Sequence, residues 1–231
     1  MWYMDEIVTP RQLCVQSNFV RLRHWIWKDH RMSDVELSAL PTPLLWDVAP
    51  VAVSSDGVAA LRIEAGPGTD LFLDPAGGAP SLNAPRLLTS LPDGDFQLVA
   101  RVTVPFTSGF DAGVLLLWAN ERRWAKLCFE CSPARQPMIV SVVTREVSDD
   151  ANSVPVDSAT AWLRISRLDT VFAFHASLDG VRWDFVRYFD LGASDVRVGF
   201  EAQSPTGQGC AVAFDDVSYR AERLPDLRDG R

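Results

Sequence analysis

The chain has 231 residues, 47% of them hydrophobic, and a formal charge of −8 from 22 Lys/Arg and 30 Asp/Glu. That length and apolar content suffice for one sizeable core, and a single domain of this size is common among all-β folds. The acidic balance excludes a nucleic-acid or anionic-membrane partner, which would call for a basic patch, and no apolar stretch approaches the roughly 18 residues of a membrane span.

Residues 1–31 differ from the remainder: they carry five Lys/Arg, three Asp/Glu, three of the eight tryptophans and two of the three histidines. Val20-Arg-Leu-Arg-His-Trp-Ile-Trp-Lys28 has the make-up of a basic amphipathic element. The plainer expectation, preferred here, is that Met32 is the natural start. Met1–Arg11 lacks the basic n-region and apolar run of a signal peptide. Leu40-Pro-Thr-Pro-Leu-Leu-Trp46 follows as an extended lead-in, because X-Pro steps favour β or polyproline backbone. Residues 1–43 are therefore expected as extension and lead-in, 44–222 as one sandwich, and 223–231 as a polar tail.

From residue 45 the chain is a series of short apolar runs separated by turn residues. Val58–Glu64 alternates, and Gly66-Pro-Gly-Thr-Asp70 turns into Leu71–Leu73. Pro92-Asp-Gly-Asp95 leads into Phe96–Val104, Gly113–Ala119 is nearly continuous in apolar residues, and Asn120–Arg123 is a hairpin turn into the next strand. Met138–Thr144, Ala161–Arg167, Val171–Leu178, Arg182–Phe189, Val196–Gln203 and Ala211–Tyr219 follow, with Asp179-Gly180 as a hairpin signal. No long stretch keeps a 3.6-residue apolar period. Ten or more strands at 8–12-residue spacing predict an antiparallel sandwich.

The four cysteines, Cys14, Cys128, Cys131 and Cys210, show no disulfide framework. Cys128 and Cys131, three apart on a strand, point to opposite faces and cannot bridge without distortion. Lacking Cys or His companions nearby, they make a weak zinc case. Free thiols in a reducing cytoplasm, with no cofactor and no metal, are expected. Ser148–Ser153 reads as a loop whose oxygens suit either calcium or Asx-turns.

The strand Trp124-Ala-Lys126-Leu-Cys128-Phe-Glu130 carries the chemistry. Alternation sends Ala125, Leu127 and Phe129 to one face and Trp124, Lys126, Cys128 and Glu130 to the other. The second row joins an aromatic, a cation and a carboxylate, the make-up of a polar binding surface. Lys126 is one of two lysines, and its Cα is about 13 Å from that of Glu130 along a strand, so each needs a cross-strand partner or a ligand. A solvated face with scattered ion pairs is the alternative. His175 is the only histidine after residue 31, which excludes a multi-histidine metal site in the domain. No G-x-S-x-G elbow accompanies it, so a surface histidine outweighs a catalytic one.

Several segments in order resemble the regulation-of-enolase protein family: Thr69-Asp70, Asn83-Ala-Pro85, Gly94-Asp-Phe96, Phe110-Asp-Ala-Gly113, Trp124-Ala-Lys126 with Glu130, Ser141-Val-Val-Thr144, Ser148-Asp-Asp150, Leu163-Arg164, Ser177-Leu-Asp-Gly180 with Trp183, and Val198–Pro205. The resemblance covers residues 44–220. It implies a concanavalin A-like jelly-roll sandwich of two curved antiparallel sheets, an association of fungal members with enolase, and no established activity. Similar sandwiches occur as accessory domains on xylan-degrading enzymes, which raises the weight of sugar binding by analogy alone.

The expected function is a cytoplasmic, non-catalytic binding module. Its polar concave face would accept a sugar-like or phosphorylated metabolite or a protein partner such as a metabolic enzyme. The expected ligand-binding residues are Trp124, Lys126, Glu130, His175, Glu201 and Gln203, with Trp124 stacking on the ligand and Lys126 partly exposed. The enzyme alternative is glycoside chemistry with Glu130 as acid/base and Glu201 as second carboxylate. Against it, no strand offers the Glu-x-Asp-x-x-Glu run of the glucanases of this fold.

Overall fold

The computed structural model describes residues 34–230, and every regular element in it is a strand. The expectations for residues 1–31 and for Cys14 lie outside the described residues. The strands are β1 (Leu45–Val48), β2 (Ala52–Ser55), β3 (Leu61–Ala65), β4 (Leu71–Phe72), β5 (Ser81–Leu82), β6 (Arg86–Thr89), β7 (Phe96–Thr103) and β8 (Ala112–Asn120). They continue with β9 (Arg123–Cys131), β10 (Pro137–Arg145), β11 (Val147–Pro155), β12 (Thr160–Leu168), β13 (Val171–Ser177), β14 (Asp184–Asp190), β15 (Arg197–Gln203) and β16 (Cys210–Arg220).

Two seven-stranded antiparallel sheets form a sandwich. The first has the order β1-β6-β15-β8-β9-β10-β11 and the second β14-β13-β12-β7-β16-β3-β2, while β4 and β5 pair as a separate small hairpin. The core lies between the large sheets. Leu115, Leu117, Ala125, Leu127, Phe129 and Phe200 face Leu98, Val102, Leu163, Ile165, Phe174 and Phe214. Phe200 meets Phe214, and Phe129 meets Phe106, each with ring centroids 5.0 Å apart. Each fully buried phenylalanine contributes about 2–3 kcal/mol by leaving water. At Gly113 the sheets come so close that a Cβ would lie 2.5 Å from both Val102 and Val212.

The lead-in joins this core. Val35 bridges Leu44, and Leu37, Leu40 and Leu44 are buried in the main cluster. At the other end, Leu224 is buried and the residues after β16 lie against the second sheet. Ser148–Ser153, read from sequence as a loop, forms most of edge strand β11 instead. Its polar composition hid it, and as a strand it sends Asp149 and Asp150 to opposite faces.

The first sheet is also covered on its outer face. Leu71, Leu73, Leu82 and Ala84, from the segment carrying β4 and β5, pack on Leu88, Val114, Leu116, Trp118, Trp124, Val140 and Val142. Two hydrogen bonds stitch this strap down: Leu73 N donates to the Ser148 Oγ at 2.9 Å and Ser148 N to the Leu73 carbonyl at 2.8 Å. Burial on both faces explains why β8 reads as continuous apolar sequence.

Candidate functional site

Strand register brings the polar row of β9 beside that of β15. Gln203, Ala112 and Glu130 are partners across β15, β8 and β9, the next row is Glu201, Val114 and Cys128, and the next Gly199, Leu116 and Lys126. Alternation puts all these side chains on the outer face of the first sheet, under the strap. The Glu130 and Glu201 Cα atoms, two strands and one row apart, are separated by about 12 Å.

Lys126 reaches across the Glu201 row. Its Nζ donates to Gln203 Oε1 at 2.9 Å, lies 3.8 Å from Asp70 Oδ1 and sits 5.7 Å from the centre of the Trp124 ring. Gln203 is held in turn, because its Nε2 donates to the Phe110 carbonyl at 3.1 Å. Asp70 comes from the strap, where its backbone N donates to Asn83 Oδ1 and its carbonyl accepts from Asn83 and Ala84. Arg86 pairs with Glu201 in register but is spent elsewhere. Its Nε donates to Asp47 at 2.7 Å, its Nη1 to the Leu82 carbonyl at 2.9 Å, and its guanidinium lies 4.1 Å from the Trp118 ring.

Glu201 is 0% exposed and neither of its carboxylate oxygens has a hydrogen-bond partner. Such a group raises the cost of its own charge. Burial pushes its pKa up to about 7, with Asp70 adding to the rise while Lys126 and Arg86 oppose it. Glu130 is also pushed up to about 7 by burial, then by Asp70, Asp150 and Glu201, with Lys126 opposing. Burial works against the Lys126 ammonium, but Glu201 and its other anionic neighbours outweigh burial and raise its pKa. The arrangement therefore holds one firm cation and two carboxyl groups that exchange protons near neutrality. Among the described residues no group of three or more His, Cys, Asp or Glu side chains is placed to hold a metal ion.

Five of the six residues expected at the site, Trp124, Lys126, Glu130, Glu201 and Gln203, do share one sheet face. The open groove expected there is corrected. Trp124 is 0% exposed and Lys126 2% exposed, because the strap lies over the row. Trp124 packs in the apolar layer with its Nε1 donating to the Glu121 carbonyl at 3.3 Å, so no ring face is free to stack on a ligand.

His175 is corrected too. It stands on β13, in the second sheet, opposite Arg164. Its Nε2 is 2.7 Å from the Leu227 carbonyl, and burial brings its pKa down to about 4. Asp70 and Arg86 were missed as members of the charge cluster. Asp70 sat in a quoted motif, but only the fold of the strap brings it over Lys126; Arg86 had no signal.

A family model described as "Protein of unknown function (DUF1349)" matches residues 46–222. No curated protein matches the chain. Among solved structures, a functionally unknown protein from Saccharomyces cerevisiae superposes with a TM-score of 0.73 at 25% identity, covering 82% of this chain and 100% of that one. A mutant of the GH43 protein BlXynB from Bacillus licheniformis gives 0.65 at 15% identity, over 78% of this chain and 37% of that one. The GH43B protein of a Bacteroides ovatus xyloglucan locus gives 0.62 at 16% identity, over 88% and 42%. This chain thus spans less than half of either GH43 protein, and at those identities the likeness is one of fold.

Proposed function

We propose that this chain, which belongs to the DUF1349 protein family, is a cytoplasmic, non-catalytic binding module for a small, neutral, hydroxyl-rich molecule of the sugar type. The observation that carries this reading is the Glu201 carboxylate, buried with two unpartnered oxygens beside a lysine whose own hydrogen-bond partner is a fixed amide. Hydroxyl groups are donors and acceptors at once, so one ring can donate to Glu201 and accept from Lys126. A phosphorylated ligand is disfavoured, since Glu201, Asp70 and Glu130 surround the ammonium and Asp150 adds negative charge beside Glu130. Lys126 and Glu201 are covered in this structure, so a ligand would reach them only by displacing the edge of the strap near the partly exposed Asp70 and Glu130. Buried free thiols at Cys128, Cys131 and Cys210 fit a reducing compartment.

The test is thermal unfolding of the purified chain with neutral monosaccharides and their phosphates, because a ligand that binds only the folded state raises Tm. A rise with a neutral sugar, absent with its phosphate and lost in Glu201→Gln, is expected. A rise with the phosphate alone overturns the reading.

The enzyme reading has one observation of its own, the two carboxyl groups poised near pH 7. It assigns Glu130 as acid/base and Glu201 as second carboxylate. Hydrolysis of aryl glycosides that disappears in both Glu130→Gln and Glu201→Gln would establish it. The resemblance to the regulation-of-enolase family adds a protein partner, and co-sedimentation with purified enolase tests that.

A further inference from the structure

On the outer face of the second sheet, with the whole core between it and Lys126, lies a cavity of about 190 Å³ lined by Gln97, Trp162, Arg164, Trp183, Ser218 and Arg220 among others. Trp162 and Arg164 project outward from β12, and Gln97 from β7. The hairpin after β13 folds over them and supplies Trp183. That hairpin is set by its own bonds: Ser177 Oγ accepts from Gly180 N at 2.9 Å, and Asp179 Oδ1 accepts from Val181 N at 2.8 Å and Arg182 N at 2.9 Å. Gly180, at φ +74°, lies so close to Trp162 that a Cβ would be 2.9 Å from the ring.

Arg164 is 5% exposed. Its Nη2 donates to the Gly230 carbonyl at 2.7 Å and its guanidinium lies 4.4 Å from the centre of the Trp183 ring, but its Nε has no partner. Among the described residues no carboxylate forms an ion pair with it. Of its arginine neighbours, Arg101 pairs with Asp215 at 3.6 Å and Asp216 at 3.4 Å, and Arg220 pairs with Glu222 at 3.4 Å. Burial and the nearby Arg220 lower the Arg164 pKa to about 10, the direction of a cation that lacks an anion. A buried guanidinium without a countercharge is costly to keep.

We propose that this cavity is a second binding site and that it takes a monosaccharide-sized carboxylate, with the acid group on Arg164 and the ring against Trp162 and Trp183. A guanidinium matches a carboxylate in shape and charge. One positive charge with no ion pair among the described residues suits a monoanion, whereas a phosphate dianion would exceed it. Indoles pack well against a sugar or aromatic ring, and the ring would meet the indole surface that Gly180 on Trp162 and Arg164 on Trp183 leave open. The volume is below the 300–1,000 Å³ of drug-sized sites, which limits the ligand to about one ring. Gln97 and Ser218 are left to bond its polar groups.

Calorimetric titration of the full chain with glucuronate, benzoate, glucose and inorganic phosphate tests this. Glucuronate or benzoate should bind, with affinity lost in Arg164→Met and reduced at least tenfold in Trp183→Ala. Trp183 is only partly buried, so its variant keeps the test open if Arg164→Met does not fold. Glucuronate without benzoate would mark the ring as a sugar, and the converse as an aromatic acid; either supports the site. Binding of neither acid, binding of phosphate as tight as the acids, or carboxylate binding unchanged in Trp183→Ala overturns it. Any glucose heat from the Lys126 region should be untouched by Trp183→Ala, which separates the two sites.

Discussion

Lys126 Nζ and Gln203 Oε1 lie 2.9 Å apart, joining β9 to β15 across the row that holds Glu201. This bond fixes the ammonium in a site that is 2% exposed, so its charge must be balanced by the carboxylates around it.

Removing one partner of such a cluster should therefore be worse than removing both. Lys126→Met strands Glu201 without its cation and should cost about 3–5 kcal/mol, whereas the double variant Lys126→Met/Glu201→Gln should recover much of that loss. Urea unfolding of the two variants and of Glu201→Gln checks it. Losses in Lys126→Met, Glu201→Gln and the double variant that simply add would show that the two groups do not interact.

The stability should fall as pH rises from about 5 to 8. In the folded chain Glu130 and Glu201 are raised from 4.5 to about 7, so the native state holds protons that the unfolded state has released. Their contribution is present below pH 4.5 and is lost as pH passes through 7. For fully buried Glu201 alone the change is on the order of 3 kcal/mol. Glu201→Gln should flatten this slope in denaturation curves at pH 5, 6, 7 and 8; an unchanged slope would place the titrating groups elsewhere.

His175 acts in the opposite sense. Its folded pKa is lowered from 6.5 to about 4, so its contribution is present above pH 6.5 and is lost as pH falls through 4. Deleting residues 223–231 removes the Leu227 carbonyl and uncovers the ring. NMR titration should then show the His175 pKa rising toward 6.5, together with a lower Tm. A pKa that stays near 4 would mean that the sheet alone buries it.

The sandwich was legible because its core strands alternate or run continuously apolar, and the two faces of Trp124–Glu130 were read correctly from period two alone. Phe129→Ala should accordingly cost about 3–5 kcal/mol, measurable by urea unfolding; a loss under 1 kcal/mol would mean that the face is not packed. What could not be read was cover. Leu71, Leu73, Leu82 and Ala84 lie 40 to 53 residues before Trp124 in sequence, and no local pattern says that they close over it. The same limit put His175 on the wrong sheet, since strand alternation gives a side chain its face but not its sheet. Arg164 and Trp183 were quoted only as parts of motifs, because their partners Gly230 and Trp162 meet them through the long connections of the fold.

The Glu201 carboxyl group reports directly on whether the Lys126 site binds hydroxyl groups. Its pKa can be followed by carbon NMR in the chain alone and with the neutral sugar that most raises Tm. Without ligand it is predicted near 7. With ligand it should fall by a unit or more, because hydroxyl donors on the orphaned oxygens favour the charged form. A value that stays near 7 while the sugar is bound would place the sugar elsewhere and contradict the assignment of this site.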